Sequence, residues 1–343
     1  MLAAIFHGDK KIEVCDHTLP TLGFNDLLIK VHSCGICGTD KHIFSGSAPS
    51  SIPVILGHEY SGTIVDLVNP SCNFKIGDKV AVDPNIYCGQ CKYCRKGSVN
   101  FCENLKALGV TLNGGFAEYS ILPTSQAYIL PDDFDLSIAS FAEPLSCCLR
   151  GIEHADIKSG NSVVIIGGGS IGLLMVQLAK NCGAAKVLLI EPDQSKHGLG
   201  VELGADFALN PKEENLFDNI QDLVNGHVDV VIECVGDRST IDTAIKIVGK
   251  GGKVVIFGLT PQDQSLTVNL QYLFHKELKI FNSFLNPFTF QSAINLLVTK
   301  KVEVLKLITQ QIHIKEIPDF FSNNVVSNNI KVQLINNQRR SYE

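Results

Sequence analysis

The feature that most limits the fold of this chain is the apolar run Ser162-Val163-Val164-Ile165-Ile166, followed at once by Gly167-Gly168-Gly169-Ser170-Ile171-Gly172 and then by a helical rhythm to Cys182. A strand that is apolar at nearly every residue is buried on both faces, as in a parallel sheet covered by helices. Gly167 suits the tight turn that leaves such a strand. Gly169 lets the backbone approach a pyrophosphate, and Gly172 lets the helix pack closely on the strand. The pyrophosphate would sit on the helix N-terminus, where Ser170 and Ile171 stand. The alternation continues: strands are expected over 185–190, 228–232 and 253–257, and helices over 195–203 and 239–248. Strand and helix in turn mean βαβ units and a doubly wound sheet. Glu191 ends the second strand of this series. Its carboxylate can accept hydrogen bonds from ribose hydroxyls and would repel a 2′-phosphate, which favours NAD over NADP. Lys196, five residues on, works the other way, and Glu191 read alone is a surface charge.

The chain before this region has a different grammar. Short apolar runs at 27–31, 60–68 and 79–82 are punctuated by Gly57, Gly77-Asp78 and Pro84, which suggests a β-rich domain up to about Arg150 with irregular, ligand-bearing loops. Beyond Pro287 the βαβ pattern fades. A helix over 290–299 is followed by a short mixed tail rich in asparagine, at Asn323, Asn324, Asn328 and Asn329. A length of 343 residues fits two domains. The segments read as 1–150, 151–286 and 287–343.

Twelve cysteines is a high count, and no secretory n-region precedes the short apolar start. Metal ligation is therefore a better reading than disulfides, and a cytoplasmic location follows by default. Four of the cysteines lie close together, at Cys88, Cys91, Cys94 and Cys102. Two-residue gaps let a tight turn aim successive sulfurs at one ion, and a closed four-sulfur zinc site is structural rather than catalytic. Unligated cysteines or an iron–sulfur cluster are the alternatives. The net charge of −6, the absence of a long basic run and the lack of tryptophan speak against a nucleic-acid partner. The most apolar stretch is broken by glycines, which speaks against a membrane span.

A second group of metal-ligand types is dispersed: Cys37 in GICGTDKH, His58 and Glu59 in LGHEYSG, and Glu143 in AEPL. A catalytic zinc uses about three protein ligands and one exchangeable position. If both glutamates joined the thiolate the centre would carry net negative charge, so one of them is expected to bind through water or to exchange during turnover. Each alone has a plainer reading, His58 as a structural histidine and Glu59 as a solvated charge.

Together these strings resemble the zinc-containing medium-chain alcohol dehydrogenase family, from GICGTDKH through the cysteine loop and GGGSIG to Phe257-Gly258-Leu259. The resemblance implies a GroES-like β-rich catalytic domain holding both zincs, completed by the C-terminal segment, and an inserted Rossmann domain binding NAD, with Gly258 and Leu259 among the cofactor contacts. It places the active site in the cleft between the domains. It implies that Cys37 and His58 ligate the catalytic zinc, that Glu59 is an adjacent or alternating ligand, and that Asp40 orients His58. Glu143 stands where the polyol branch has glutamate and many alcohol dehydrogenases have cysteine. Cys34, Cys147 and Cys148 are bystanders on this reading. By the same likeness zinc acts as a Lewis acid on the alcohol. Thr39 accepts the alcohol proton and passes it through the cofactor ribose toward His42, while hydride goes to the nicotinamide. The implied partners are a small alcohol or polyol and further copies of the chain, as a homo-dimer or homo-tetramer.

The expected function is oxidation of a secondary alcohol in a polyol, sugar alcohol or small diol. Threonine dehydrogenase usually has a longer, tryptophan-bearing stretch between the positions of Cys37 and His58, so it ranks lower, as does a sugar-alcohol-phosphate enzyme for want of a basic cluster. A non-catalytic NAD-binding protein with zinc kept for structure is the reading from another class. Phe44, Tyr87, Phe116 and the segment after Asn282 are candidate walls of the specificity pocket.

Overall fold

A computed structural model describes residues 1–19, 21–69, 72–261, 264–323 and 329–336. The chain divides into two compact units. One comprises Met1–Pro144, Phe290–Lys300 and Val304–Glu343, and the other Leu145–Thr289 and Lys301–Glu303. Among the described residues, no helix is long and apolar enough to cross a membrane.

The first unit is built on a seven-stranded sheet. Its central strand, Asp26–Ile36, pairs antiparallel with Glu59–Leu67 on one side and with Lys331–Ile335 on the other. Tyr119–Pro123 pairs with the N-terminal half of the same long strand. Lys79–Val82 and Ala127–Ile129 extend the sheet beyond Glu59–Leu67, and Ile308–Ile312 extends it beyond Lys331–Ile335. The tail therefore supplies an interior strand, Lys331–Ile335, every residue of which is buried, and an edge strand, Ile308–Ile312. Leu27, Ile29 and Val31 alternate inward along the central strand, as period-two patterning requires. They share a core with Tyr60, Ile64, Phe116 and Leu334. Fully burying side chains of this size contributes about 1.5–3 kcal/mol each.

The second unit carries a six-stranded, wholly parallel sheet. Its spatial order is Phe207–Leu209, Lys186–Ile190, Ser162–Ile166, Val230–Glu233, Lys253–Ile256, Lys279–Asn282. By position in the chain this is 3-2-1-4-5-6, the doubly wound order of a Rossmann sheet, with its topological switch beside Ser162–Ile166. Val163, Val164 and Ile165 are completely buried, as their unbroken apolar run predicts.

Two regions differ from the expectation from sequence. The stretch before Arg150 does not end in strands and turns, because Ala142–Ala155 is a helix. Pro144 sits in its first turn, where no amide has an intrahelical partner to lose. The fading pattern beyond Pro287 hides the two sheet strands of the tail, which are too short to show a period. Asn324 and Asn328 of the asparagine-rich stretch lie outside the described residues.

Candidate active site

Cys37 stands at the junction between the central strand and the helix Gly38–Ser45, as the N-cap of that helix. Its amide donates to Asp40 Oδ2 at 2.8 Å, closing a reciprocal capping pair that fixes the turn. The Thr39 hydroxyl lies 3.6 Å from Cys37 Sγ. Glu59 opens the neighbouring strand, and His58 immediately precedes it. Gly57 before them has φ +88°, and a Cβ there would lie 2.4 Å from the Phe116 ring and 2.7 Å from Cys34 Sγ. Only glycine gives both that conformation and that clearance. The antiparallel register sets Glu59 opposite Gly35 and so near the end that carries Cys37.

The result is a group in which one ligand atom each from Cys37, His58 and Glu59 lies within 4.8 Å of the others. His58 and Glu59 are buried. Sulfur, imidazole and carboxylate at this spacing suit a four-coordinate zinc with one position left over. Asp40, wholly buried, places Oδ1 3.4 Å from His58 Nδ1, which leaves Nε2 for a ligand bond. Burial opposes charge on the His58 imidazole, but Asp40 and Cys37 outweigh it and hold its pKa well above the usual histidine value. The surroundings thus favour positive charge at this position, and a metal cation meets that preference.

Glu143, the second residue of the helix Ala142–Ala155, is buried but is not in this group of three. Its carboxylate is one of the anions that raise the pKa of Lys331. Lys331 begins the strand that flanks Cys37 on the other side, with Val332 opposite Ile36. It is 4% exposed and forms an ion pair with Glu59. Burial works against its charge, but Glu59, Cys37 and Glu143 outweigh that penalty and raise its pKa. The sequence reading missed this residue, because nothing local to IKVQLI marks its lysine as buried.

His42 lies one turn along the helix from Thr39, with Nδ1 3.0 Å from the Ser47 hydroxyl. Phe116 is wholly buried and packs 6.3 Å from the Phe321 ring, so it belongs to the core rather than to a pocket wall. Phe44 is half-buried in the same aromatic cluster, and Tyr87 is largely exposed. Cys34 is fully buried in the core and lies outside the group.

The four clustered cysteines form the second metal-compatible group, again with ligand atoms within 4.8 Å of one another. Cys91 Sγ and Cys94 Sγ are 3.5 Å apart. Sulfurs placed tetrahedrally about a zinc at about 2.3 Å lie roughly 3.8 Å from each other. Main-chain amides point at them: Cys91 N at Cys88 Sγ, and the amides of Cys88 and Asn104 at Cys102 Sγ, all within 3.4 Å. Amides of Cys94 and Glu103 draw the Cys91 thiol down to about 6, whereas burial and the neighbouring sulfurs push Cys94 up to about 12. The loop favours thiolate at some sulfurs and needs a cation before all four can ionise.

In the second unit, Gly167 has φ +103°, and Gly172 is so close to it that a Cβ would lie 1.7 Å from the Gly167 carbonyl oxygen. The helix Ser170–Asn181 has Gly169 as N-cap and no side-chain cap, which leaves its first amides for an anion. Glu191 is buried beside this turn. Its Oε2 accepts from the Gly168 amide at 2.6 Å and its Oε1 from the Asp193 amide at 2.9 Å. Lys196 faces Asp193 at 3.8 Å. Gly258 crosses against Gly236, where a Cβ would lie 2.0 Å from the Gly236 nitrogen, while Leu259 is exposed. Gly236 is a second residue the sequence reading passed over, although a glycine three residues beyond a buried strand is a signal for such a crossing.

Comparison with known proteins agrees with this layout. Residues 23–132 match the GroES-like domain of alcohol dehydrogenases, and residues 170–299 match the zinc-binding dehydrogenase domain. Sorbitol dehydrogenase of Halalkalibacterium halodurans is 34% identical over 90% of this chain and 91% of its own. L-threonine 3-dehydrogenase of Shewanella baltica is 34% identical over 76% of this chain and 77% of its own. A Sinorhizobium meliloti protein crystallised with NADP and described as a zinc-binding dehydrogenase superposes with a TM-score of 0.95 at 39% identity, covering 97% of this chain and 98% of that one. The chain belongs to the zinc-containing medium-chain alcohol dehydrogenase family. It is an oxidoreductase that uses zinc and a nicotinamide dinucleotide.

Proposed function

We propose that this chain oxidises a secondary alcohol of a polyol, sugar alcohol or small diol, with NAD as the hydride acceptor. The observation that carries the reading is the buried meeting of a thiol, an imidazole and a carboxylate at Cys37, His58 and Glu59. The sulfur, nitrogen and oxygen of these residues would hold the catalytic zinc, with Glu143 close by, and Cys88, Cys91, Cys94 and Cys102 would hold a structural zinc. When bound, zinc supplies Lewis acidity that lowers the pKa of the alcohol, and NAD supplies the hydride acceptor. Asp40 fixes the ring of His58 from behind. The Thr39 hydroxyl accepts the alcohol proton as it gives up its own toward His42, and His42, held through Nδ1 by Ser47, releases a proton to solvent. Gly167, Gly169, Ser170, Ile171 and Gly172 receive the pyrophosphate, with Gly258 and Leu259 as further cofactor contacts.

Glu191 supports NAD over NADP, since a carboxylate at the end of this strand would repel a 2′-phosphate. Lys196 does not offset this charge directly, because its ammonium faces Asp193. Coverage of most of the sorbitol dehydrogenase chain supports a polyol substrate above threonine. Thiol ligands need a reducing compartment, which supports a cytoplasmic location. The family supports a homo-dimer or homo-tetramer, a point that light scattering checks.

The test is a panel of polyols, sugar alcohols, small diols, L-threonine and a sugar-alcohol phosphate. Each is offered to the zinc-loaded protein with NAD and with NADP, and reduced nicotinamide is followed by absorbance. Turnover of an unphosphorylated polyol or diol, faster with NAD, is the expected result, together with two zinc ions per chain by elemental analysis. Tight dinucleotide binding with no alcohol oxidised would replace this reading with that of a non-catalytic NAD-binding protein.

A further inference from the structure

Lysine is almost never fully buried unless paired. Lys331 is 4% exposed, and its ammonium sits against the Glu59 carboxylate, itself 1% exposed. The backbone makes room for the pair. A Cβ on Gly35 would lie 2.1 Å from Glu59 Oε2 and 2.8 Å from Lys331 Cε. The Phe141 ring lies 6.0 Å from the Lys331 ammonium. The same Glu59 offers an oxygen to the group it forms with Cys37 and His58. One carboxylate is thus shared between a fixed ammonium and the place of a divalent cation.

The charges explain why this matters. One thiolate and one carboxylate cancel the charge of Zn²⁺, and a carboxylate bound without competition would fill a coordination position that an alcohol needs. We propose that Lys331 is a positioning residue that competes with the metal for Glu59 and so keeps the centre electron-poor and one position open to the alcohol. The inference rests on the assignment of Cys37, His58 and Glu59 as zinc ligands. Removal of the lysine charge leaves Glu59 to the metal alone. Zinc is then held more tightly while turnover falls. A merely structural lysine predicts the opposite sign for zinc, because loss of a buried ion pair loosens the ligands around it.

The experiment measures zinc affinity at this site by chelator competition, and the visible spectrum after cobalt(II) replaces that zinc. In Lys331→Met the expected result is tighter zinc by about 10–100-fold, the scale on which partners of metal ligands act. The cobalt spectrum should shift toward higher coordination, and kcat should fall. Lys331→Arg, which keeps the charge, is expected to restore wild-type zinc affinity. Unchanged or weaker zinc binding in a folded Lys331→Met protein overturns the proposal. Should that variant not fold, Glu59→Gln decides. A shared carboxylate predicts that this change loosens zinc far less than His58→Ala does, and equal loosening by the two overturns the proposal. Failure of the underlying assignment looks different: the wild-type protein would then carry the same zinc content as Cys37→Ala.

Discussion

The two metal-compatible groups of the first unit are made in opposite ways. The cysteine loop draws its four sulfurs from one continuous stretch, and its own main-chain amides point at them. The other group gathers Cys37 from just past the end of one strand and His58 and Glu59 from the entry to the strand paired with it, and Lys331 joins it from a strand near the end of the chain. The first is a local structure that a cation would complete. The second is a product of sheet register, with Asp40 accepting from the Cys37 amide and paired with His58. A structural ion can therefore be written into a short segment, whereas a site with an open position depends on a frame that stays in place when the ligand leaves.

Substitutions can break this contrast. The largest effect is expected from Cys37→Ala. Loss of a ligand from a Lewis-acid centre should lower kcat/KM on the order of 10³-fold or more, with one zinc fewer per chain. Circular dichroism and thermal unfolding should stay near wild type, and a collapse of the fold would mean that this centre too is a structural device. Next comes Gly35→Ala, far in sequence from Glu59 and Lys331 but close against both side chains. Its methyl group must displace the two side chains, and a shift of about 1 Å near the reacting centre can cost roughly 10²-fold in turnover. The cysteine loop should keep its zinc, which elemental analysis verifies. The smallest effect on chemistry is expected from Cys94→Ala, which leaves the reacting residues untouched. It should instead lower the unfolding midpoint by roughly 5–15 °C, given several kcal/mol from the metal at roughly 2–4 °C per kcal/mol. A loss of turnover per folded molecule as large as that of Cys37→Ala would show that the two sites are not independent.

Much of this was legible because its signals are local. Ser162–Ile166 reads as a buried strand because its four apolar residues are all buried, and of the glycines after it Gly167 takes a positive φ and Gly172 packs against the Gly167 carbonyl. The spacing of Cys88, Cys91, Cys94 and Cys102 states its own geometry. The helix Ala142–Ala155 was not legible, since Pro144 and Gly151 read as breaks and the proline is harmless only in the first turn that the structure gives it. Phe116 is equally opaque: a phenylalanine directly after a glycine pair suits a loop wall or a core, and only the packing of Gly57 and Phe321 against it decides for the core.

Sequence by itself determined the chemical kinds present: a four-thiol loop, a phosphate-binding turn between strand and helix, and a scattered thiol, imidazole and carboxylates that resemble a zinc dehydrogenase. Only the tertiary structure brought Glu59 within reach of Cys37 and His58 and paired it with a lysine from the tail. The reason is physical. Ligands on one short turn meet through a few backbone angles, but residues on different strands meet only through the register of the sheet, which the whole core fixes at once.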